Sequence, residues 1–488
     1  MRLHRQKEVQ VMNNKKKITK FLSDNMVVIL FIILCIGGFI ASKQSLAFVI
    51  SELFTRIARN SFLVLALIIP VLAGMGLNFG IVIGAIAAQI AVFCTTHWGF
   101  VGIGGFLLTA LLATPIAAFL GFLIGKLFNR MKGTEMIGGL VLGYFAEGFY
   151  QLLFLFIFGG VIKINNPTLM IPTGVGVKNT IDLKDTIKYA LDNVPMLVIL
   201  EIACLAVVLF AVFSAISKKR RKQEVDLKKT VLMIAGAAAV YGISYIPFVE
   251  EFLLRDRLIL LTVFDVGCIV SVIWNIGKPI VQKFIQKVPC NLKKSAVNLV
   301  LTAIVYGLTY IPSVYEALIR ANIPVMTYCC IAGVCAINSL LMRTRLGQNM
   351  RTVGQSRTVA NAAGINVNRT RIIAMVFSTV LASWGQLIYL QNVGTFSTYG
   401  AHTQVGTFAI AALLVGGASV QKATNKQAIL GVILFHTLFI VSPLAGNELF
   451  GNPMVGEYFR VFVSYGVIAV SLAMHAWQKK PKTQVFTD

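Results

Sequence analysis

Apolar residues occur along most of this chain in runs long enough to cross a lipid bilayer, with short polar stretches between them. An α-helix needs about 20 predominantly apolar residues to span the hydrocarbon core, and fourteen segments approach that length. We predict these segments at 26–48, 60–78, 79–96, 100–125, 135–161, 196–217, 231–248, 258–277, 295–312, 323–342, 372–392, 405–419, 427–443 and 455–477. The pattern predicts an all-α fold, a polytopic transmembrane helical bundle in which some segments are half-helices.

The composition agrees with a membrane protein. Of the 488 residues, 57% are hydrophobic and only 13% are charged, and the mean hydropathy is +0.79. A soluble domain carries about 25% charged residues, so the composition excludes a soluble enzyme, a disordered chain and a disulfide scaffold. Seven of the eight cysteines fall in apolar runs and no CxxC pair occurs. We interpret them as small buried apolar residues.

The formal net charge of +25 is confined to one set of connecting segments. These segments hold 33 Lys and Arg against 6 Asp and Glu, whereas the rest of the chain holds 11 against 13. They are 1–24, 126–135, 218–229, 278–294, 343–371, 422–426 and 479–488. An excess of Lys and Arg marks cytoplasmic loops. We therefore predict cytoplasmic tails at 1–25 and 478–488 and no nucleic-acid partner. The apolar run from residue 26 also resembles a signal peptide, but the need for an inside start favours a retained first helix.

A duplication lies in the middle of the chain. Residues 228–262 match residues 293–327 at an offset of 65, with 14 identities in 35 positions. Each copy is predicted to be a helix, a short outer turn and a returning helix. The even number of helices returns the chain to the same side of the membrane, so four helices can be inserted within 218–342 without changing the topology.

Polar residues within the apolar spans are candidates for a solute path. Glu147 lies near the middle of its span, where an ionisable group costs about 2.5–3.5 kcal/mol to insert. Tyr144 and Gln151 share its helix face by their spacing, and Gln386 and Gln391 form a weaker set in a later span. A water-lined path would need such a stripe, but a hydrogen bond between helices explains it equally well.

A broken helix is predicted before the third apolar segment. Pro70 should bend the helix that contains it, and Asn78 follows at the end of the same span. Gly76, Gly80 and Gly84 recur at every fourth residue, a spacing that lets helix backbones approach closely. A helix broken at membrane depth must be buried in protein or line a cavity, so Asn78 joins the predicted path.

The sequence lacks the motifs of an enzyme. It contains no G-x-x-x-x-G-K-[ST] phosphate loop, so we expect no ATP to bind to this chain. There is no His, Cys and Asp cluster with metal-ligand spacing and no nucleophile motif. We therefore predict no catalytic residues, no metal ligands and no cofactor on this chain.

Several basic or glycine-rich motifs resemble the permeases of bacterial ABC importers that serve ribose-like sugars, nucleosides and branched-chain amino acids. The motifs are Arg-Thr-Arg-Leu-Gly at 343–347, Val-Gly at 353–354, Ala-Asn-Ala-Ala-Gly-Ile-Asn-Val at 360–367, Lys-Gly-Thr-Glu-Met-Ile at 132–137 and Gly-Leu-Asn-Phe-Gly at 76–80. The resemblance extends over roughly 60–217 and 343–477. It implies a permease with about ten family-type helices, some broken, to which four inserted helices are added. The implied parts are 26–217 and 372–477 for the permease domain, 218–342 for the insertion and 343–371 for a cytoplasmic coupling segment.

The resemblance also implies how the chain would work. In such permeases a short coupling helix contacts a cytoplasmic ATPase, which binds the ATP and Mg. The matching positions here are Arg351, Gly354, Val359, Ala360, Asn361, Ala362, Ala363, Gly364 and Ile365. A second cytoplasmic contact would involve Lys132, Gly133 and Thr134. Further implied partners are a second permease, a heterodimer with a related chain being favoured, an extracellular solute-binding lipoprotein and the lipid of the bacterial cytoplasmic membrane.

The sequence departs from the family pattern in two places. The duplicated hairpins separate two segments that relatives join directly, and Val359-Ala360 stands where relatives often carry a charged residue. An ion-coupled secondary transporter is the main alternative, because such transporters also have repeats, broken helices and polar groups at membrane depth. A structural membrane scaffold is a third reading. The motif at 132–137 favours a simple sugar or a nucleoside as the solute.

Overall fold

The structure is a computed structural model, and the part of the chain that it describes consists of residues 25–172, 175–220, 227–280, 282 and 292–478. The predicted tails before residue 25 and after residue 478 lie outside the described residues. Most of the described residues are helical, and very few are in strands. Seven helices are long and apolar enough to cross a membrane, or up to ten if each sharply bent pair forms one span. The predicted multi-pass helical bundle is therefore confirmed.

Nineteen α-helices and four short strands follow one another in the described part of the chain. The first nine helices are α1 Met26–Ser42, α2 Leu46–Ala66, α3 Ile68–Leu72, α4 Ile81–His97, α5 Gly102–Arg130, α6 Glu135–Leu152, α7 Met196–Arg220, α8 Leu227–Ile243 and α9 Pro247–Leu253. The others are α10 Leu260–Ile280, α11 Leu292–Gly307, α12 Pro312–Arg320, α13 Val325–Leu341, α14 Arg345–Gln355, α15 Arg357–Ala362, α16 Val367–Val393, α17 Thr403–Val415, α18 Asn425–Phe450 and α19 Pro453–Gln478. The strands are β1 Thr180–Asp182, β2 Arg257–Ile259, β3 Asn322–Pro324 and β4 Thr395–Ser397.

Several predicted helix boundaries differ from the structure, and the largest difference is at the start of the second span. The apolar pattern places the second span from residue 60, whereas α2 begins at Leu46. Charged side chains such as Glu52 interrupt the apolar run and make this stretch look like a loop. A helix can carry such charged side chains where they have polar partners. Arg59, on the same helix, is an example, because its Nε donates a hydrogen bond to Asn392 Oδ1 at 3.0 Å.

The described residues divide into two compact units. The first contains the chain up to residue 45, residues 55–188 and the chain from residue 331. Its centre is α16, which packs against α4 and α5, while α18 packs against α1, α17 and α19. Strands β1 and β4 pair antiparallel, with Ile181 opposite Phe396. This pairing fastens the long loop before α7 to the segment that follows α16.

Glycines allow the close packing around α16. A Cβ atom added at Gly84 would lie 2.7 Å from the Thr379 carbonyl oxygen, and one at Gly125 would lie 2.9 Å from the Ile372 Cα. Real Cβ atoms do not approach other atoms this closely, so the helix backbones themselves are in contact. The predicted role of the small-residue spacing in helix packing is confirmed at Gly84.

The second unit contains residues 46–54 and 189–330 and shows the duplication as a local two-fold arrangement. The helix pairs α8–α9 and α11–α12 bend by 91° and 88° at equivalent positions. Strands β2 and β3 pair antiparallel about Leu258 and Ile323, two residues that the 65-residue offset makes equivalent. Two equivalent residues that face each other in an antiparallel pair are related by a two-fold axis that passes between them. The two copies therefore form a symmetric pair in the folded chain.

The repeat begins earlier than the sequence comparison indicates. Helix α7 packs against α8 as α10 packs against α11, and the two leading helices share the patterns Glu-Ile-Ala-Cys from Glu201 and Asp-Val-Gly-Cys from Asp265. Glu201 lies within electrostatic reach of Tyr241, as Asp265 does of Tyr306. The acid at 265 therefore has an equivalent in the structure, although the offset of 65 alone pairs it with Cys330.

Candidate functional site

The basic segment 343–371 folds into two short helices that turn away from the long ones. Helix α14 bends by 76° from α13, and α15 follows it after one residue. Both helices begin at a polar cap, because the Thr344 and Ser356 hydroxyl oxygens accept hydrogen bonds from the backbone N–H three residues further on, at 3.2 and 3.3 Å. Such caps satisfy backbone donors that a helix start leaves free. A short helix, α15, thus lies where the resemblance implies one, and Gly364, with a φ of +76°, follows its end.

One face of helix α15 is buried against the protein, and the other face is exposed. Ala360 is fully buried and packs with Val353 and Val367, against which Ile365 also packs. The remaining predicted contact positions on and after this helix are exposed: Val359, Asn361, Ala362, Ala363 and Gly364. Arg351 is also exposed. The segment therefore presents small side chains outward, which leaves room for another protein to approach closely.

The predicted second contact segment meets the first one through a buried carboxylate. Glu135, the first residue of α6, is only 6% exposed, and its Oε1 lies 2.5 Å from both Arg357 Nη2 and Arg371 Nη2. Its Oε2 accepts a hydrogen bond from the Gly133 N–H at 2.8 Å. Arg371 is fully buried and also donates to the Phe128 carbonyl at 3.3 Å. Glu135 therefore joins α6, α15 and α16 at one point.

None of these three charged residues is a predicted site residue. An arginine in a basic loop and a glutamate beside it look like ordinary surface charges in the sequence. The available signals are that Glu135 is the single acidic residue of the segment 126–135 and that it stands within the motif at 132–137. Lys132, Gly133 and Thr134, which are predicted contacts, are exposed beside it.

The same cluster reaches the break between α3 and α4. Arg357 Nη2 donates a hydrogen bond to the Gly74 carbonyl at 3.3 Å. A Cβ atom at Gly74 would lie 2.7 Å from the Gly354 Cα, and one at Gly354 would lie 2.2 Å from the Leu72 carbonyl oxygen. Gly354 thus sits directly on the backbone of the break. The chain is not helical between Leu72 and Ile81, where the sequence predicts a broken helix.

A cavity of about 270 Å³ lies along α6. Its lining consists of Phe79, Val82, Leu140, Gly143, Tyr144, Glu147, Thr403, Gly406, Thr407, Phe408, Val461 and Tyr465. Tyr144 and Glu147, which are predicted path residues, face it together. Gln151 is not among the lining residues, but its Nε2 donates a hydrogen bond to Glu147 Oε1 at 3.4 Å. The predicted polar stripe on α6 is therefore present on one face, with a carboxylate at the cavity.

The other predicted path residues are not among those that line this cavity. Asn78 is 1% exposed and lies 3.1 Å from the position of a Cβ added to Gly80. Gln386 and Gln391 are fully buried, and Gln386 Nε2 donates to the Ala401 carbonyl at 3.3 Å. Gln386 therefore holds the loop before α17. Helical spacing predicts which residues share a face, but not which face the neighbouring helices cover.

A buried histidine next to the cavity is a residue that the sequence pattern missed. His402 is fully buried, and its ring centroid lies 4.8 Å from that of Tyr150. Burial lowers the pKa of the His402 ring to about 4, so the ring is neutral at pH 7. Thr403, the next residue, lines the cavity. The histidine stands between two apolar runs, where a sequence pattern predicts a loop.

The fold and site define a multi-pass helical membrane protein with a short exposed helix tied to a cavity-lining helix. A protein-family model described as "Branched-chain amino acid transport system / permease component" matches residues 186–472, more than half of the chain. The chain belongs to this family. No solved structure matches it.

Several named relatives are similar over part of their length. The "Xylose transport system permease protein XylH" of Haemophilus influenzae is 26% identical over 255 residues, which is 51% of this chain and 62% of the relative. The "Nucleoside ABC transporter permease protein NupC" of Lactococcus lactis is 30% identical over 136 residues, 28% of this chain and 41% of the relative. The "Fructose import permease protein FruG" of Bifidobacterium longum is 29% identical over 131 residues, 25% of this chain and 37% of the relative. The chain thus spans less than two thirds of each of these relatives.

Proposed function

We propose that this chain is the transmembrane permease subunit of an ATP-binding-cassette importer for a small polar solute, a simple sugar or a nucleoside. The observation that carries the proposal is the link from the exposed face of α15 through Glu135 to α6, the helix that lines the 270 Å³ cavity. Such a link suits a protein that is moved by an ATPase on one side and opens a path within the membrane. The named relatives, permeases for xylose, fructose and nucleosides, support the solute class.

The proposal includes the other subunits. A cytoplasmic ATPase would bind α15 and the exposed residues 132–134, and it would hold the ATP and Mg. A second permease, as a heterodimer with a related chain, would complete the path, and an extracellular solute-binding lipoprotein would deliver the solute. The complex would lie in the bacterial cytoplasmic membrane, with both termini of this chain in the cytoplasm and no catalysis on the chain itself.

Purification from the native membrane in mild detergent tests this proposal. We expect a stoichiometric ATPase to copurify, as identified by mass spectrometry, and we expect reconstituted vesicles to take up solute only with ATP. Val359→Asp, on the exposed face of α15, should release the ATPase. Lys422→Asp, an exposed change outside the predicted contact segments, should not. Recovery of the chain without an ATPase would contradict the proposal.

An ion-coupled secondary transporter is the alternative, and one observation favours it, namely the carboxylate of Glu147 at the cavity. Such a transporter would need an ion gradient and no ATP. Uptake into ATP-free vesicles under an imposed proton or sodium gradient would support this alternative and reject the importer.

Replacement of Glu147 by Gln should slow uptake without unfolding the chain. The change keeps the shape of the side chain but removes the charge that faces the cavity and accepts the bond from Gln151. The amide oxygen of Gln can still accept from Gln151, but a bond between neutral groups is weaker by about 1 kcal/mol, so we expect uptake to fall about fivefold. The control is Glu448→Gln, a carboxylate that pairs with Lys43 and does not line the cavity. Equal uptake by both variants would remove Glu147 from the path.

A further inference from the structure

We propose that Arg357 and Glu135 are positioning residues that transmit the movement of α15 to the cavity, an inference that rests on the proposed function. The ionic cluster consists of Glu135, Arg357 and Arg371. The cluster lies where α15, α6 and the non-helical stretch between α3 and α4 come into contact. Each connection is a direct contact in the first unit of the chain.

The first connection runs from α15 to α6. Arg357 is the first residue of α15 and Glu135 is the first residue of α6, and the distance between their charged atoms is 2.5 Å. Helix α6 is a rigid element, and two and three turns further on it carries Tyr144 and Glu147 in the cavity wall. A displacement of α15 is therefore applied to the end of the helix that shapes the cavity.

The second connection runs from α15 to the break. The same guanidinium atom of Arg357 donates to the Gly74 carbonyl at 3.3 Å. The non-helical stretch that begins there leads to Phe79 and Val82, which line the same cavity as Tyr144 and Glu147 of α6. Arg357 thus contacts both segments that lead to the cavity, and we infer that a change in its position moves them together.

The two arginines differ in burial. An effect on transmission can therefore be tested at Arg357 without the loss of stability that a change at the buried pair would cause. Arg371 is fully buried, so removing Glu135 would leave a buried charge without its partner, which destabilises proteins strongly. The Arg357 side chain is 31% exposed. If Arg357 is replaced, the buried pair of Glu135 and Arg371 stays intact. Arg357→Gln is therefore the informative variant.

The experiment uses the complete complex reconstituted in vesicles, with ATP hydrolysis and solute uptake measured in the same samples. We expect Arg357→Gln to retain ATP hydrolysis while uptake per ATP falls about fivefold or more, the range of a typical coupling between two sites. Arg357→Lys, which keeps the charge but has a single point of contact, should restore part of the ratio. Lys426→Gln, an exposed charge outside the cluster, should leave the ratio unchanged.

A double-mutant cycle and a labelling measurement distinguish transmission from simple support. Glu135→Asp keeps a negative charge beside buried Arg371 but shortens the reach to Arg357; if the two residues act as one unit, Glu135→Asp combined with Arg357→Gln should lower uptake per ATP no further than Arg357→Gln alone. In a background without the native cysteines, Thr407→Cys reports the cavity. We expect its thiol labelling to respond to ATP in the otherwise unchanged chain and not in Arg357→Gln.

Three results bear on the inference. An unchanged ratio in Arg357→Gln would overturn it, as would an equal loss of hydrolysis and uptake with a lower unfolding temperature, which would mean simple structural support. ATP-independent uptake by the unchanged chain would instead reject the proposed function itself. The two failures are therefore distinguishable in one set of samples.

Discussion

Gly354→Val is expected to abolish ATP-driven uptake and to lower the unfolding temperature of the purified chain. The Cβ atom alone would lie 2.2 Å from the Leu72 carbonyl oxygen and 3.1 Å from the Gly74 nitrogen. These are backbone atoms, which cannot turn aside as a side chain does. Overpacking typically costs about 1–3 kcal/mol, and relief here requires α14 to move away from the break. That movement would also displace α15, which follows α14 directly.

The control for this prediction is a glycine of ordinary helical conformation in open space. A Cβ atom at Gly104, in the first turn of α5, would meet nothing within 4 Å. Gly104→Val should therefore leave both uptake and thermal unfolding close to those of the unchanged chain. If Gly354→Val transports at the normal rate, the close approach of α14 to the break has no role in transport.

Gly143→Phe should block uptake while the chain remains folded. Gly143 lines the 270 Å³ cavity, and a Cβ atom there would meet only the Phe79 carbonyl oxygen, at an ordinary distance of 3.7 Å. The benzyl group can enter the cavity without a clash at its root and would occupy much of its volume. We expect uptake to fall more than tenfold, a change of about 1.4 kcal/mol or more in the barrier, while ATP hydrolysis continues.

Gly148→Phe provides the matched control on the same helix. A Cβ atom at Gly148 would meet nothing within 4 Å, and Gly148 does not line the cavity. The two variants carry the same added group and differ only in the helix face. A similar loss in both would mean that the added bulk disturbs α6 in general, and equal normal uptake would mean that the cavity is not the solute path.

Helix ends and helix faces can be predicted from the sequence where the residues that determine them lie only a few positions apart. The coupling segment is an example: Ser356 caps α15 and Gly364 follows its end, because hydroxyl caps and left-handed glycines act on backbone atoms only a few residues away. The stripe of Tyr144 and Glu147 on one face follows from helical spacing for the same reason. Conversely, the pattern misplaced the start of α2, because a charged side chain such as Glu52 lowers hydropathy without preventing a helix.

The sequence by itself determined the class of fold, the segments that form helices, the family and the short helix with small exposed side chains. Composition and periodicity decide the fold class and the helices, whereas the resemblance of the motifs at 132–137 and 343–367 indicates the family and its short helix. Only the tertiary structure decided that Glu135 meets Arg357 and Arg371, which are 222 and 236 residues away, and that Gln386 supports a loop and is not among the cavity-lining residues. Such choices depend on which helix faces pack together. Because a buried charge is stable only with a partner, the packing of distant helices determined which of many basic residues became that partner.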